Sequence, residues 1–198
     1  MGFVSVLSYA QQLVARKVQP GHVVIDGTAG NGHDTIHLAK LAGRTGHVYA
    51  FDIQEQALAS TRQNLSAHQG LSDRVTLLQA SHSEMSLHIP SKWHQQVQAV
   101  MFNFGFLPGS NQQIVTLTET SIAALEDAFS LLKKGGILTA VLYPGHAGGD
   151  EEAHAIEKWA TALSSSVAQV LSYRMINSQG NPPYLIAVEK RIASSRDD

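Results

Sequence analysis

The stretch VVIDGTAGNGHDTIHLA, residues 23–39, decides the fold. It starts with three apolar residues before Asp26, which predicts a buried strand, and it ends in a segment with helical spacing. Between them, Gly27, Gly30 and Gly32 permit a tight turn and the close approach of a ligand to the backbone. A strand, a glycine turn and a helix in this order are typical of a nucleotide-binding site in an α/β domain.

Apolar runs of strand length alternate with stretches of helical period along the rest of the chain. This alternation predicts an α/β, doubly wound (Rossmann-like) fold with a seven-stranded, mostly parallel sheet. The last two strands follow each other without a helix, which predicts an antiparallel hairpin at the sheet edge. The predicted strands are 23–26, 47–53, 74–80, 97–103, 136–143, 172–178 and 184–190, and the predicted helices are 4–16, 33–42, 54–68, 111–132 and 150–164. We expect residues 1–192 to form a single domain and residues 193–198 to be a flexible tail.

Composition narrows the class of protein. The 198 residues include no cysteine, which excludes disulfides, cysteine-ligated zinc and thiol nucleophiles. A formal net charge of −2 argues against coating of nucleic acid through bulk electrostatics, so any RNA contact must be local. No apolar stretch reaches the roughly 20 residues of a membrane span, and no secretory signal is visible. We therefore expect a cytoplasmic protein without membrane contact.

Two acidic residues indicate which cofactor the glycine turn binds. Asp52 lies 20 residues beyond Gly32 at the end of the second strand, where an acid can bind a ribose diol. Asp26, immediately before the turn, would repel a pyrophosphate but favours the ammonium and sulfonium of S-adenosylmethionine. Thr35 stands where a dinucleotide site has its third glycine. These features favour S-adenosylmethionine over NAD. The residues expected to bind it are Asp26, Thr28, Gly30, Asn31, Gly32, Asp34, Asp52, Ile53, Ser81, His82 and Asn103.

The spacing of His33 and His37, with Asp34 between them, superficially matches the metal-binding helix of zinc proteases. The usual base there is Glu rather than Asp, and no third ligand is apparent. We expect no metal site. Asp34 is better placed to meet the first-turn amides of the helix or the ammonium of the cofactor.

The loops after the fourth and fifth strands are expected to form the substrate side. The Asn103 side-chain oxygen can accept a hydrogen bond from an amine and orient its lone pair, whereas the alternative is a plain Gly/Pro turn with two core aromatics. His146 follows the fifth strand as a base or phosphate contact, and Asp150–Glu152 indicate a helix cap. The expected catalytic residues are Asn103, Tyr143 and His146, and the expected substrate contacts are Phe104, Gly105, Phe106, Pro108, Gly145 and Tyr184.

Three motifs in order, DGTAGNGHDT (26–35), FNFGFLPG (102–109) and YPGHAGGDEE (143–152), resemble those of the bacterial rRNA methylase family, closest to its tRNA 5-(aminomethyl)-2-thiouridine methyltransferases. The resemblance covers nearly the whole chain. It implies a class I methyltransferase fold, S-adenosylmethionine as donor, and methylation of the aminomethyl nitrogen of a wobble uridine to methylaminomethyl. The family pattern has an acid after His82, where this chain has Ser83.

The same resemblance assigns roles by motif. Asp26, Gly30, Asn31, Asp34 and Asp52 would hold the cofactor. The amine pocket would be shaped by Asn103, Gly105 and Pro108, with Tyr143, Gly145 and His146 beside it.

A tRNA anticodon loop is the partner that this reading implies, because its unstacked bases can stack on Phe104, Phe106 or Tyr143. Local phosphate contacts would come from Arg16, Lys17, Lys133, Lys134 and Arg174, or a homodimer would combine two modest patches. The alternatives are a methyltransferase for rRNA or for a small-molecule amine, a non-catalytic nucleotide-binding module, and an NAD-dependent reductase.

Overall fold

The computed structural model of the chain describes residues 2–105, 116–145 and 148–192. Its strands are β1 Val23–Asp26, β2 His47–Asp52, β3 Val75–Gln79, β4 Val97–Phe104, β5 Leu132–Leu142, β6 Ala168–Tyr173 and β7 Tyr184–Lys190. Its helices are α1 Val6–Ala15, α2 His33–Ala42, α3 Glu55–Ser66, α4 Met85–His88, α5 Thr118–Leu131 and α6 Gly149–Ala162.

The strands form one seven-stranded sheet in the order β3-β2-β1-β4-β5-β7-β6. Strands β1 to β5 are parallel, and β7 runs antiparallel to both β5 and β6. The predicted fold class and its antiparallel edge hairpin are therefore confirmed. The chain adds strands in one direction from β1 to β3 and in the other from β4, so the order reverses between β1 and β4. Ligands of doubly wound sheets bind at this switch point, beyond the carboxyl ends of the strands.

Both faces of the central strands are buried because helices cover them. One face packs against α1 and α2, with Val14, Val24 and Leu38 fully buried. The other packs against α5 and α6, where Leu125 and Ile156 are fully buried. This two-sided packing leaves the carboxyl ends of the strands as the edge where polar loops meet.

The predicted boundary of the sixth strand is wrong. Strand β6 covers Ala168–Tyr173 rather than 172–178, and Tyr173 pairs with Leu185 of β7. A longer strand would need partners before Tyr184, where Pro182 and Pro183 offer no N–H group. Strand β6 is an edge strand with exposed positions, so its apolar pattern gives only a weak signal.

The starts of one further strand and one helix also differ from the predicted boundaries. Strand β5 begins at Leu132 instead of 136, because an irregular start containing left-handed Gly135 precedes the regular pairing with β4. Helix α5 begins at Thr118, although a helix was predicted from residue 111. Residues 111–115 and the predicted tail 193–198 lie outside the described part of the chain.

Candidate active site

A cavity of about 670 Å³ opens at the carboxyl ends of the central strands, beside the switch point between β1 and β4. Its size is ordinary for a site that takes a cofactor-sized ligand. The walls come from the β1–α2 turn, the loops after β2, β3, β4 and β5, the first turns of α1, and Thr116 to Thr120. Sequence motifs that are far apart in the chain therefore meet around one space.

Asp26 ends β1 and lies behind the cavity wall rather than on it, because its side chain has 0% exposure. Its two oxygens accept hydrogen bonds from the Thr28 N–H at 3.1 Å and the Thr35 hydroxyl at 2.6 Å. Burial, reinforced by the charge of Asp34, raises the pKa of Asp26 to about 7. The structure thus gives Asp26 a role in fixing the turn, and any effect on a ligand acts through its charge.

The glycine turn is held in a left-handed backbone conformation. Gly30 has φ of 53° and Gly32 has φ of 82°, values that side-chain-bearing residues rarely adopt. The Gly30 N–H donates to Asp52 Oδ2 at 3.0 Å, and the Thr61 hydroxyl donates to the Gly30 carbonyl at 2.9 Å. A Cβ on Gly32 would lie 3.0 Å from the Thr61 side chain. The turn is fixed by both conformation and contact.

Asp52 is the last residue of β2, the strand that pairs with β1, and it lines the cavity. Its Oδ1 accepts from the Gln54 N–H at 2.9 Å, while Oδ2 is bound by Gly30. Burial raises the pKa of Asp52, and these main-chain hydrogen bonds oppose that shift. The carboxylate is held in one orientation with its remaining lone pairs free to accept from a ribose diol.

Asn103 lies near the end of β4 and is joined to α2 by Asp34. The Asn103 Nδ2 donates to Asp34 Oδ2 at 2.7 Å, and Gln11 of α1 donates to Asp34 Oδ1 at 2.7 Å. The Asn103 main-chain N–H donates to the Thr28 hydroxyl at 2.7 Å. Its Oδ1 is buried and has no partner among the described residues. Asn103 thus lines the cavity with its amide nitrogen bound to Asp34 and its buried amide oxygen unpartnered.

Two further rings border the cavity. Tyr143 follows β5, and burial together with the nearby charge of Asp34 raises the pKa of its hydroxyl. His82 follows β3, and burial lowers its pKa to about 4, against the effect of a hydrogen bond with the Gly27 main chain. His82 is therefore neutral near pH 7, and its Nε2 is buried without a partner in the described part of the chain.

Most of the predicted cofactor residues line the cavity. They are Thr28, Gly30, Asn31, Asp34, Asp52, Ile53, Ser81, His82 and Asn103, and the predicted substrate-side residues Gly105 and Tyr143 join them. Gly32 supports the turn from behind. His146, Phe106 and Pro108 lie outside the described residues.

Some substrate-side predictions are corrected by burial. Phe104 has 0% exposure and its ring stacks on Phe102 at 4.9 Å, so it is a core residue and cannot stack on a base in this structure. Tyr184 is 8% exposed, and the Arg174 guanidinium covers its ring at 4.7 Å. Gly145 is exposed beside the Asn181 main chain. Neither Tyr184 nor Gly145 forms part of the cavity wall described above.

Sequence reasoning missed the contribution of α1. The apolar residues of this helix that recur at helical spacing are only partly buried: Ala10 and Val14 are covered, but Leu7 is exposed and borders the cavity. Ser5, Ser8 and Gln11 also line the cavity. The available signal was Gln11, a polar residue at a position of the apolar face, four after Leu7 and three before Val14.

The charge of the walls selects the kind of ligand. Asp34 and Asp52 line the cavity, Asp26 lies behind them, and no lysine or arginine is among the described lining residues. Such walls disfavour a pyrophosphate and favour a cation. A ligand with a ribose, an ammonium and a sulfonium, and no phosphate, fits this donor and acceptor set.

The two histidines of α2 have different surroundings. His33 is exposed at the cavity, whereas His37 Nε2 contacts the Gln11 main-chain oxygen at 3.3 Å. Within residues 2–105, 116–145 and 148–192, no group of three potential metal ligands is found. No helix in these ranges is both long enough and apolar enough to cross a membrane.

Similar proteins are known for both the sequence and the fold. Residues 48–189 match the family described as "Putative rRNA methylase". The chain is 38% identical over 181 residues to the chloroplastic tRNA (mnm(5)s(2)U34)-methyltransferase of Arabidopsis thaliana, a match that covers 88% of this chain and 65% of that protein. The chain thus spans just under two thirds of that relative.

Two solved structures are also similar to this one. A "putative rRNA-methylase" from Clostridium thermocellum has a TM-score of 0.91 and 37% identity, with 96% of this chain and 100% of that chain covered. A "putative methyltransferase" from Streptococcus mutans, solved in complex with SAH, has a TM-score of 0.83 and 28% identity, covering 96% and 99%.

Proposed function

Because this chain belongs to the rRNA methylase family, we propose that it is an S-adenosylmethionine-dependent N-methyltransferase acting on RNA. We further propose that it methylates the aminomethyl nitrogen of a modified wobble uridine in tRNA to give methylaminomethyl-(thio)uridine. The observation that carries the proposal is Asn103, which lines an acidic cavity and whose buried Oδ1 has no partner among the described residues. The name of the Arabidopsis relative supports the choice of nucleoside.

The residues present fit the donor. Asp52 would bind the ribose diol, Gly30 and its neighbours in the turn would contact the ligand through the main chain, and Asp34 would face the ammonium. S-adenosylmethionine supplies a methyl group on a positive sulfur; the nitrogen lone pair forms the new N–C bond, the S–C bond breaks, and neutral S-adenosylhomocysteine leaves. The nearby carboxylates match the cationic character of this ligand.

The contribution of the protein to the reaction is positioning. Asn103 Oδ1 would accept one N–H of the neutral amine, so that the lone pair points away from the amide. An amine requires no covalent catalyst, since holding it in line accounts for a large share of the barrier reduction. The extra proton on the methylated nitrogen is then lost to solvent. The Tyr143 ring borders the same space and would restrict the amine to one approach.

The basic residues predicted to contact phosphate do not surround the cavity. Lys133 and Lys134 lie at the irregular start of β5, which pairs near Val97, whereas its cavity end pairs with Phe104; at the rise of a β-strand the separation is roughly 20 Å. Lys17 is paired with Glu189, and Arg174 is paired with Glu157. Arg16 follows the end of α1 that is remote from the cavity-lining Ser5. A tRNA anticodon loop as partner, a homodimer and a cytoplasmic location stay predictions, and the Arabidopsis relative is named as chloroplastic.

The test is methyl transfer to RNA from cells that lack the protein. Purified protein is incubated with labelled S-adenosylmethionine and, separately, bulk tRNA and bulk rRNA, and the RNA is digested to nucleosides for mass analysis. Label in methylaminomethyl-thiouridine from tRNA is the expected result. Label only in rRNA, or transfer only to a small amine, would overturn the proposed substrate while keeping the cofactor.

A further inference from the structure

Three side chains from three separate elements form a hydrogen-bonded chain along the cavity wall. Gln11 of α1 donates to one oxygen of Asp34, and Asn103 at the end of β4 donates to the other, both at 2.7 Å. Gln11 is itself restrained, because its main-chain oxygen contacts His37 Nε2 at 3.3 Å. Both oxygens of Asp34 are thus occupied by side-chain donors, one on each side.

This chain fixes which end of the Asn103 amide is left without a partner among the described residues. A carboxamide has a donor end and an acceptor end, so a hydrogen bond from Nδ2 to Asp34 turns Oδ1 the other way. The Oδ1 atom is buried and lacks a partner among the described residues. Rotation of the amide by half a turn would turn its oxygen toward the Asp34 carboxylate, where two acceptors repel, so the hydrogen bond selects one orientation.

We propose that Gln11 is a positioning residue for methyl transfer: it holds Asp34 so that the Asn103 amide keeps one orientation beside the cavity. This inference rests on the proposed function, since it assumes an amine that donates to Asn103. Gln11 need not touch the amine itself. Without its hydrogen bond, Asp34 Oδ1 has no other side-chain donor among the described residues, and the carboxylate is free to turn away from Asn103.

The neighbouring glutamine provides a matched control. Gln12 lies next to Gln11 on α1, is exposed, and makes no side-chain hydrogen bond within the described residues. Gln11→Ala and Gln12→Ala remove the same group from the same helix, so helix propensity and composition change equally. Only the first variant breaks the link to Asp34.

The kinetic arm compares these variants on tRNA over a range of S-adenosylmethionine concentrations that reaches saturation. Loss of orientation lowers the rate of the bound complex, so we expect Gln11→Ala to lower kcat about tenfold, with KM for S-adenosylmethionine within about twofold. Gln12→Ala should match the wild type. Thermal unfolding of both variants is measured alongside, so that a loss of folded protein is separated from a loss of kcat.

The second arm needs no substrate. The side-chain amide signals of Asn103 in the ¹⁵N-labelled protein are assigned by their absence in Asn103→Ala. They should move in Gln11→Ala and stay in place in Gln12→Ala. Unchanged Asn103 signals overturn the proposal whatever happens to kcat, and moved signals with an unchanged kcat overturn the catalytic role. A wild type inactive on every RNA overturns the proposed function, while the amide signals still decide whether Gln11 orients Asn103.

Discussion

The cofactor side and the substrate side of the cavity are built in different ways. The cofactor side, residues 26–35 with Asp52, is a continuous turn whose hydrogen bonds are mostly to main-chain groups nearby in sequence or on the next strand. The substrate side, Asn103–Gly105 and Tyr143 with α1, is assembled from distant segments through side-chain contacts. The first is a rigid receptor that local sequence encodes, and the second depends on how helices pack.

This difference predicts that changes on the substrate side alter rate and changes on the cofactor side alter stability and affinity. The largest expected effect is that of Asn103→Ala. Removing the lone acceptor should lower kcat by about 100-fold or more, since loss of a single orienting hydrogen bond in an active site has costs of this order. The dissociation constant for S-adenosylmethionine should change by less than about threefold. Calorimetric titration and single-turnover rates measure the two quantities, and a loss confined to cofactor affinity would erase the distinction between the two sides.

The next effect in size concerns the glycine turn. Gly32→Ala would force a side chain into a left-handed backbone with φ of 82° and within 3.0 Å of Thr61. We expect it to lower the free energy of unfolding by about 1–2 kcal/mol and to weaken S-adenosylmethionine binding.

Gly180→Ala is the matched control for that variant. Gly180 has φ of 73°, but a Cβ added there would meet no atom within 4 Å, so the substitution introduces the backbone strain without the contact. Urea unfolding of both variants separates the two contributions. Equal losses of unfolding free energy in the two variants would show that the Thr61 side chain moves aside and that backbone strain alone accounts for the loss.

A smaller effect is expected from pH, through Asp26. Burial raises the pKa of Asp26 from its usual value near 4 to about 7, so the carboxyl changes from neutral to charged as pH rises through neutrality. Without ligand, the stability linked to this proton is present at low pH and is lost as pH rises through 7. A cationic ligand favours the charged form, so affinity for S-adenosylmethionine should increase a few-fold, on the order of 0.5–1 kcal/mol, between pH 6 and pH 8.

The pH effect is checked by titration calorimetry across that range. Asp26→Asn cannot ionise and should flatten the profile. A wild-type affinity that is independent of pH, or a variant that keeps the slope, would assign the titration to another group and leave Asp26 with a purely structural role.

The two sides also differ in how far the sequence predicts them. The glycine turn, Asp52 and the parallel sheet follow from residues close together in the chain, because a strand, a turn and a helix are encoded by local spacing. Gln11 could not be identified in this way, since its partner Asp34 lies 23 residues away and the contact depends on how α1 packs on α2.

Burial explains the error at Phe104. A strand alternates its side chains between two faces, but here helices cover both faces, so position alone cannot separate a ring in the core from one in the cavity. The neighbouring Asn103, which lines the cavity, could be singled out from the sequence because its polarity is out of place in a buried strand, and a polar residue there needs a specific partner.

The smallest expected effect tests whether RNA contacts the protein far from the cavity as well as beside it. The double variant Lys133→Ala, Lys134→Ala removes two positive charges at the start of β5, at the opposite end of that strand from Tyr143. If RNA contacts only the cavity edge of the sheet, KM for tRNA should change by less than about twofold, because charges beyond a Debye length of roughly 8 Å are screened at physiological salt. Steady-state kinetics at about 0.15 M salt measure this, with Asn103→Ala as the reference for a local effect. A fivefold rise in KM would show that RNA also contacts the end of the sheet far from the cavity, either through a longer stretch of one tRNA or through a second copy of the chain. The contrast between the cofactor side and the substrate side would then describe methyl transfer but not RNA binding.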